Sequence, residues 1–422
     1  MEPLKASRLL IVEGVEDEPR AAARARRLRD ALDPDVVETV DDARLCEIME
    51  DPEQVGSGRH GMYRDIDPVV IFNLGRFDDP DHVREARLER HPTLSRGTYP
   101  LSGYDAFCWR RSGSPEHRRE TGMVCQPAWQ IHSAWGCHYR CAYCSLGHFV
   151  TLMMNVEEYV ERLPGLIDSR APEQTLFQYD NGTDIVAFEP QYGASELLIG
   201  LFAHRPGQFL ELYVGKSSSV DFLLDLDHRG HTVCCWSLAG RTQSTHMEWR
   251  SAPMEERIEA SRKCQEAGYH VRHRFSPIIP VRNWRAEIRE MIELLFSRVQ
   301  PDVITFETLR YMDLEAVLAD LDPDMLDPKL LEAMRTDERE DIAHGTQIPD
   351  AYRHEVYRFV IDELERVSPE TPYAFCREQR TTWEHFADDF ARHGQHPDRY
   401  VCNCAPYSAP GNPLLRTTSP VA

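Results

Sequence analysis

Lysine is nearly missing from this chain, standing only at Lys5, Lys216, Lys263 and Lys329. Positive charge is short overall: 48 Lys and Arg face 70 Asp and Glu, for a formal net charge of −22. Polyanions such as duplex DNA are held mainly through phosphate contacts from Lys and Arg. Nucleic acid is therefore a disfavoured partner unless a local basic groove exists, and a small-molecule substrate, neutral or cationic, is expected instead. Long apolar runs are missing too. No stretch of roughly 18 apolar residues occurs, so no transmembrane helix and no membrane partner are expected. The opening Met1-Glu2-Pro3-Leu4-Lys5 lacks the apolar core of a secretory signal. Twelve cysteines in 422 residues are too dilute for the disulfide framework of a small secreted domain. Reduced thiols and a cytoplasmic location are the simpler expectation. No internal repeat and no long low-complexity segment is visible.

What is present reads as globular: 41% apolar and 28% charged residues, in a chain long enough for a large core. Apolar strands are predicted over 128–132, 175–179, 209–214, 232–238, 271–279 and 303–306. Helices are predicted over 156–167, with Asn155 as N-cap, over 195–204, around 222–226, and over 254–268 and 284–298. Alternation of this kind implies parallel pairing through right-handed crossovers. The fold class is α/β, a partial (β/α)6 TIM-type barrel with N- and C-terminal α+β extensions. The expected domains are an N-terminal α/β extension over 1–125, the barrel over 126–312, and a helical and loop-rich extension over 313–422. The last carries a helix over 352–367, a short strand over 372–376 and the tail pair Cys402 and Cys404. In such barrels the chemistry lies at the carboxyl ends of the strands. Arg110, Arg111, Arg118 and Arg119, just before the barrel, read as solvated surface.

One stretch follows the first barrel strand and organises the rest: Gly136-Cys137-His138-Tyr139-Arg140-Cys141-Ala142-Tyr143-Cys144. Three thiolates are one too few for a closed tetrahedral zinc site. They suit a 4Fe–4S cube, in which three cysteines leave the fourth iron open to an external ligand. A zinc site or three unrelated thiols is the alternative. The Cys-x3-Cys-x2-Cys spacing resembles the radical S-adenosylmethionine superfamily, in which S-adenosylmethionine is that ligand and an aromatic at the position of Tyr143 lies near its adenine.

Residues 129 to about 312 further resemble the spore photoproduct lyase family. The matching stretches include Asn155-Val156-Glu157-Glu158, Thr183-Asp184-Ile185-Val186, and Val220-Asp221-Phe222-Leu223-Leu224-Asp225-Leu226-Asp227-His228. Arg257-Ile258-Glu259-Ala260 and Ala267-Gly268-Tyr269 follow in the same order. The resemblance implies that Cys137, Cys141 and Cys144 bind the cluster. It also implies that Tyr143, Thr183, Asp184, Lys216 and Ser237 contact S-adenosylmethionine, with a flavodoxin or ferredoxin as electron donor. Such a system makes a 5′-deoxyadenosyl radical that takes a hydrogen atom from the substrate. Two departures stand out. The family's hydrogen-returning cysteine is replaced by Asn181, and the tyrosine after its last cluster cysteine is replaced by Ser145. Repair of a thymine dimer by the same route is thus not the leading expectation.

That leading expectation is a small polar substrate such as a sugar, cyclitol or aminoglycoside, undergoing epimerisation, dehydration or bond cleavage. Asp180, Arg274, Glu307 and Arg310 at strand ends are its candidate contacts. Cys402, Cys404 and Cys235 are the candidate hydrogen donors, with Cys234 and Cys376 also considered. Repair of a DNA lesion with a different donor is the alternative, and it would demand a basic groove at the barrel mouth. A non-catalytic iron–sulfur protein is the third class.

Overall fold

Strands buried on both faces must be apolar along their whole length, and they pair in parallel under a cover of helices. The chain builds such strands repeatedly. The computed structural model describes residues 4–51, 60–78, 85–86, 89–91, 106–337 and 348–416. In chain order, the strands that position the site are β1 (Arg8–Val12), β2 (Val37–Val40), β3 (Val69–Asn73), β4 (Phe107–Trp109) and β5 (Trp129–Ile131). They continue with β6 (Ala134–Trp135), β7 (Phe149–Met153), β8 (Leu176–Tyr179), β9 (Phe209–Gly215) and β10 (Thr232–Leu238). The last are β11 (His270–Ile278), β12 (Ile304–Thr308) and β13 (Tyr373–Phe375). Every residue of β7, β8 and β10 is buried.

The larger sheet has the order β13-β12-β11-β10-β9-β8-β5-β4. All its pairs are parallel except β4 with β5. The six expected barrel strands appear in sequence order, as right-handed α/β winding requires. Two strands from outside 126–312 join them: β13 extends the sheet beyond β12, and β4 caps the other edge. A second sheet has the order β2-β1-β3-β7-β6, so the segment after the cysteine loop pairs with the N-terminal region.

Helices α1 (Pro19–Leu32), α2 (Val156–Arg170), α3 (Ala194–Phe202), α4 (Met254–Glu266), α5 (Trp284–Arg298) and α6 (Asp350–Val367) pack against these sheets. The helix predicted around 222–226 is instead a short 3-10 turn, Asp221–Leu223. Asn155 precedes α2 without capping it. Its Oδ1 accepts the Gly75 N–H at 2.7 Å and its Nδ2 donates to the Gly75 carbonyl at 2.9 Å. The helix start is thereby tied to the loop after β3. Arg24 of α1 forms a second tie. It is buried, donates to the Tyr192 carbonyl at 2.6 Å, and makes a two-pronged bond to Glu157 at 2.8 and 2.7 Å. A bidentate guanidinium–carboxylate pair fixes direction as well as distance.

Candidate active site

The cysteine loop lies between β6 and β7, and its entry needs a glycine. Gly136 has φ of +86°, and a Cβ there would lie 1.9 Å from the Phe149 carbonyl oxygen. Its N–H donates to the Gly182 carbonyl at 2.9 Å, tying the loop to the end of β8. Residues Arg140–Cys141 pair antiparallel with Glu248–Trp249, which holds the middle of the loop. Cys137 and Cys141 are buried and Cys144 half-buried. Burial raises all three thiols, Cys137 well above the ordinary range and Cys141 to about 12, and at these two the neighbouring sulfurs add to the effect. Three thiolates crowded into a low-dielectric pocket therefore need a compensating cation. Among the described residues no three His, Cys, Asp or Glu side chains are placed to hold a single metal ion.

The residues next to these thiols carry polar atoms with nothing to bind. Thr183 Oγ1 and Asp184 Oδ1 are buried and lack a partner. The other Asp184 oxygen accepts the Lys216 N–H at 2.5 Å. Gly215, at φ +67°, makes that approach feasible, since a Cβ would lie 2.2 Å from Asp184 Oδ2. Burial pushes the Asp184 carboxyl up to about 7, against the lowering effect of Lys216. Lys216 Nζ lies 5.7 Å from the centre of the Tyr143 ring, a cation–π distance. Tyr143 donates to Glu248 at 2.5 Å, and buried Glu248 pairs with buried Arg257 at 2.6 Å. Ser237 shares a 2.8 Å hydrogen bond with the Tyr213 hydroxyl. Unpartnered buried donors and acceptors are uncommon in native proteins. The orphans at Thr183 and Asp184, beside three thiols, fit a polar cofactor bound to a cysteine-held cluster.

Beyond Cys144 and Tyr143 opens a cavity of ≈ 540 Å³ at the carboxyl ends of the strands. Arg110, Arg274, Arg310 and Arg377 line it, together with a single carboxylate, Glu307. Arg274 reaches Glu307 at 3.3 Å and Arg310 reaches it at 3.4 Å. Each of the four arginines keeps a buried Nε with no partner. Trp109 and Tyr311 are 45% and 47% exposed on the same wall.

The cavity also corrects the sequence expectations. Arg110, read as surface, is a cavity residue. Arg377, which no sequence pattern singled out, joins it. Asp180 does not face the cavity: it is fully buried and accepts the backbone N–H groups of Ser133, Ala134 and Gly182 at 2.9, 3.2 and 3.1 Å. It also pairs with His132 at 2.5 Å, holding that imidazole protonated in spite of its burial. Asp180 therefore locks the turns after β5 and β8. Cys235 is sealed in β10 beside Glu211, and burial raises its thiol strongly. Cys404 faces the cavity while Cys402 stands behind it. The Cys402 S–H donates to the Cys404 sulfur, and Arg110 donates to that sulfur at 2.9 Å. Together they hold Cys404 well below the usual thiol range, as a thiolate. Glu248 and Arg257 were not anticipated, because their buried pairing is set by tertiary packing alone.

Residues 126–315 match the family model for spore photoproduct lyase. The spore photoproduct lyase of Bacillus subtilis (strain 168) is 30% identical over 190 residues, covering 43% of this chain and 55% of that protein. The Clostridium acetobutylicum protein is 24% identical over 203 residues, covering 46% and 60%. The chain thus matches little more than half the length of these curated relatives. A spore photoproduct lyase structure complexed with dinucleoside spore photoproduct superposes with a TM-score of 0.63 at 19% identity, covering 89% of this chain and 100% of that one. A mutant of spore photoproduct lyase with bound AdoMet and dinucleoside spore photoproduct gives a TM-score of 0.61 at 17% identity, covering 89% and 99%. The resemblance to the spore photoproduct lyase family therefore holds over residues 126–315, and the fold alone is shared over 89% of the chain. The expectation of a small-molecule, sugar-like partner is overturned here, because the bound ligand in these structures is a dinucleoside lesion.

Proposed function

We propose that this chain is a radical S-adenosylmethionine lyase acting on a dinucleotide lesion of the thymine-dimer type in DNA. The observation that carries this is the cavity wall: four guanidiniums, each with an unpaired Nε–H, against one carboxylate in a chain of net charge −22. A local cationic concavity is what a phosphodiester requires, and the net charge of the remaining surface does not cancel it at contact distance. The cavity volume lies in the range of sites that enclose a ligand of this size. Chemistry on a base inside a duplex requires that base to leave the stack, and Trp109 offers an exposed aromatic face for it.

Cys137, Cys141 and Cys144 would hold the 4Fe–4S cluster. Tyr143, Thr183, Asp184, Lys216 and Ser237 would hold S-adenosylmethionine. When bound, this pair supplies a 5′-deoxyadenosyl radical that removes a hydrogen atom from carbon. The protein's own part is placement and exclusion. Asp184 Oδ1 and Thr183 Oγ1 take up the cofactor's polar end, and Tyr143 with Lys216 closes the space between cluster loop and cavity. Arg274 and Arg310, braced by Glu307, fix the lesion's phosphate so that the reacting carbon faces Cys144 and Tyr143. The cysteines of the described residues are all free, which suits a reducing cytoplasm.

The test is an anaerobic assay of deuterium transfer into 5′-deoxyadenosine. Uptake from a labelled dinucleotide lesion is the expected result. Uptake from labelled carbohydrates alone would overturn the proposal.

A further inference from the structure

Breaking a carbon–carbon bond through a carbon radical yields a closed-shell product only if a hydrogen atom comes back. An S–H bond is weaker than the C–H bond it would form, so a thiol is a natural source. Such a thiol must reach the cavity, carry its hydrogen, and have that hydrogen free. Five cysteines line the cavity, and Cys144 is taken by the cluster loop. Cys404 accepts from Arg110 at 2.9 Å, which holds its thiol well below the usual range and makes it the poorer carrier of a hydrogen atom. Cys125 is buried, its S–H directed at the Gln126 carbonyl at 3.8 Å. Cys108 stands on β4, the edge of the sheet opposite Glu307 and Arg274, where the reading above seats the lesion. Asn181, at the family's thiol position, lines the same cavity and has no S–H.

Cys376 remains. It follows β13 at the carboxyl end of the sheet, is half-buried, and lines the cavity beside Glu307. Arg274 donates to its sulfur at 3.6 Å, which leaves the S–H pointing elsewhere. Burial pushes this thiol up to about 12, with Glu307 adding to the effect, so it is neutral at physiological pH. From this geometry, and resting on the lyase reading above, we propose that Cys376 is the catalytic thiol that returns a hydrogen atom to the substrate radical. The Cys376 S–H bond breaks homolytically, a C–H bond forms on the product, and the unpaired electron passes to sulfur. One electron from a low-potential one-electron reductant, of the class that reduces the cluster, and one proton from solvent restore the thiol.

A thiol hydrogen exchanges with water, so wild-type enzyme in D2O should place one deuterium in each repaired dinucleotide. Cys376→Ser should lose that deuterium and raise the ratio of 5′-deoxyadenosine to repaired product at least several-fold. Cys404→Ser is run alongside. Loss of deuterium in Cys404→Ser with retention in Cys376→Ser overturns the proposal while leaving the lyase reading intact. Absence of lesion-dependent 5′-deoxyadenosine in the wild type overturns both. A second measurement does not use turnover: equilibrium binding of the dinucleotide lesion to the cluster-loaded protein. Cys376→Trp, which fills the wall where the thiol faces the cavity, should weaken that binding at least several-fold. Unchanged binding also overturns the proposal.

Discussion

The two halves of the site are built differently. On the cofactor side, three thiols fall within eight residues, and their supports, Thr183, Asp184 and Lys216, stand just past the ends of β8 and β9. On the substrate side, Arg110, Arg274, Arg310, Arg377 and Cys404 come from five segments spread over nearly 300 positions, and no two share a motif. The cofactor side is a local device set on a sheet. The substrate side exists only once β4 and β13 have joined that sheet. The thiols and their supports come from short, neighbouring stretches, whereas the cavity wall joins Arg274 and Arg310 of the barrel to Arg110, Arg377 and Cys404 of the flanking segments.

Variants aimed at each half should behave differently. The largest effect is expected from Cys141→Ala: loss of nearly all cluster iron and of cofactor cleavage, read by iron content and by methionine release. Retained iron would break the assignment of the cofactor side. Asp184→Asn should weaken S-adenosylmethionine binding about 10- to 100-fold, as expected for losing a charged hydrogen-bond partner, with equilibrium binding as the measurement. Arg274→Ala should weaken dinucleotide binding by a similar or smaller factor, about 10-fold, and make binding less sensitive to salt. Its cofactor affinity should stay within about twofold; a loss there equal to the loss of dinucleotide affinity would erase the distinction between the halves.

The smallest effect concerns stability. Burial pushes Glu211 up to about 7, above the ~4.3 of an unfolded chain. The folded state therefore binds this proton more tightly. The stability it contributes is fully present below ~4.3 and is lost as pH rises through about 7. Urea midpoints should fall between about pH 5.5 and pH 8, by on the order of 2 kcal/mol from this group, and Glu211→Gln should remove that part of the slope. An unchanged slope would show that Glu211 is ionised where it lies, between Asn403 and Arg272.

Much of the fold was legible because it rests on periodicity. Parallel strands buried on both faces read as apolar runs, and helices between them carry a one-sided apolar stripe. Helix α5 begins and ends where its sequence pattern does. The misses share a cause. Asp180 and Asp184 are four residues apart and look equivalent in sequence. Backbone N–H groups from the turn after β5 surround the first, while the second keeps an open oxygen. Arg110 looks like its neighbour Arg118, yet only its guanidinium finds Cys404, which is 294 positions away. Asn155 has the identity of a helix cap but spends its amide on Gly75, which follows the neighbouring strand β3.

By itself, the sequence determined the three-cysteine loop, the order of the parallel strands and the polar residues that end them. These depend on spacing and on alternation along the chain, which are local properties. Only the tertiary structure decided which charges face the cavity, which thiols are ionised and which keep their hydrogen. Those outcomes depend on burial and on partners brought from distant segments. The desolvation that raises Cys376 and the guanidinium that lowers Cys404 come into being only when the sheet, its edge strands and the tail meet.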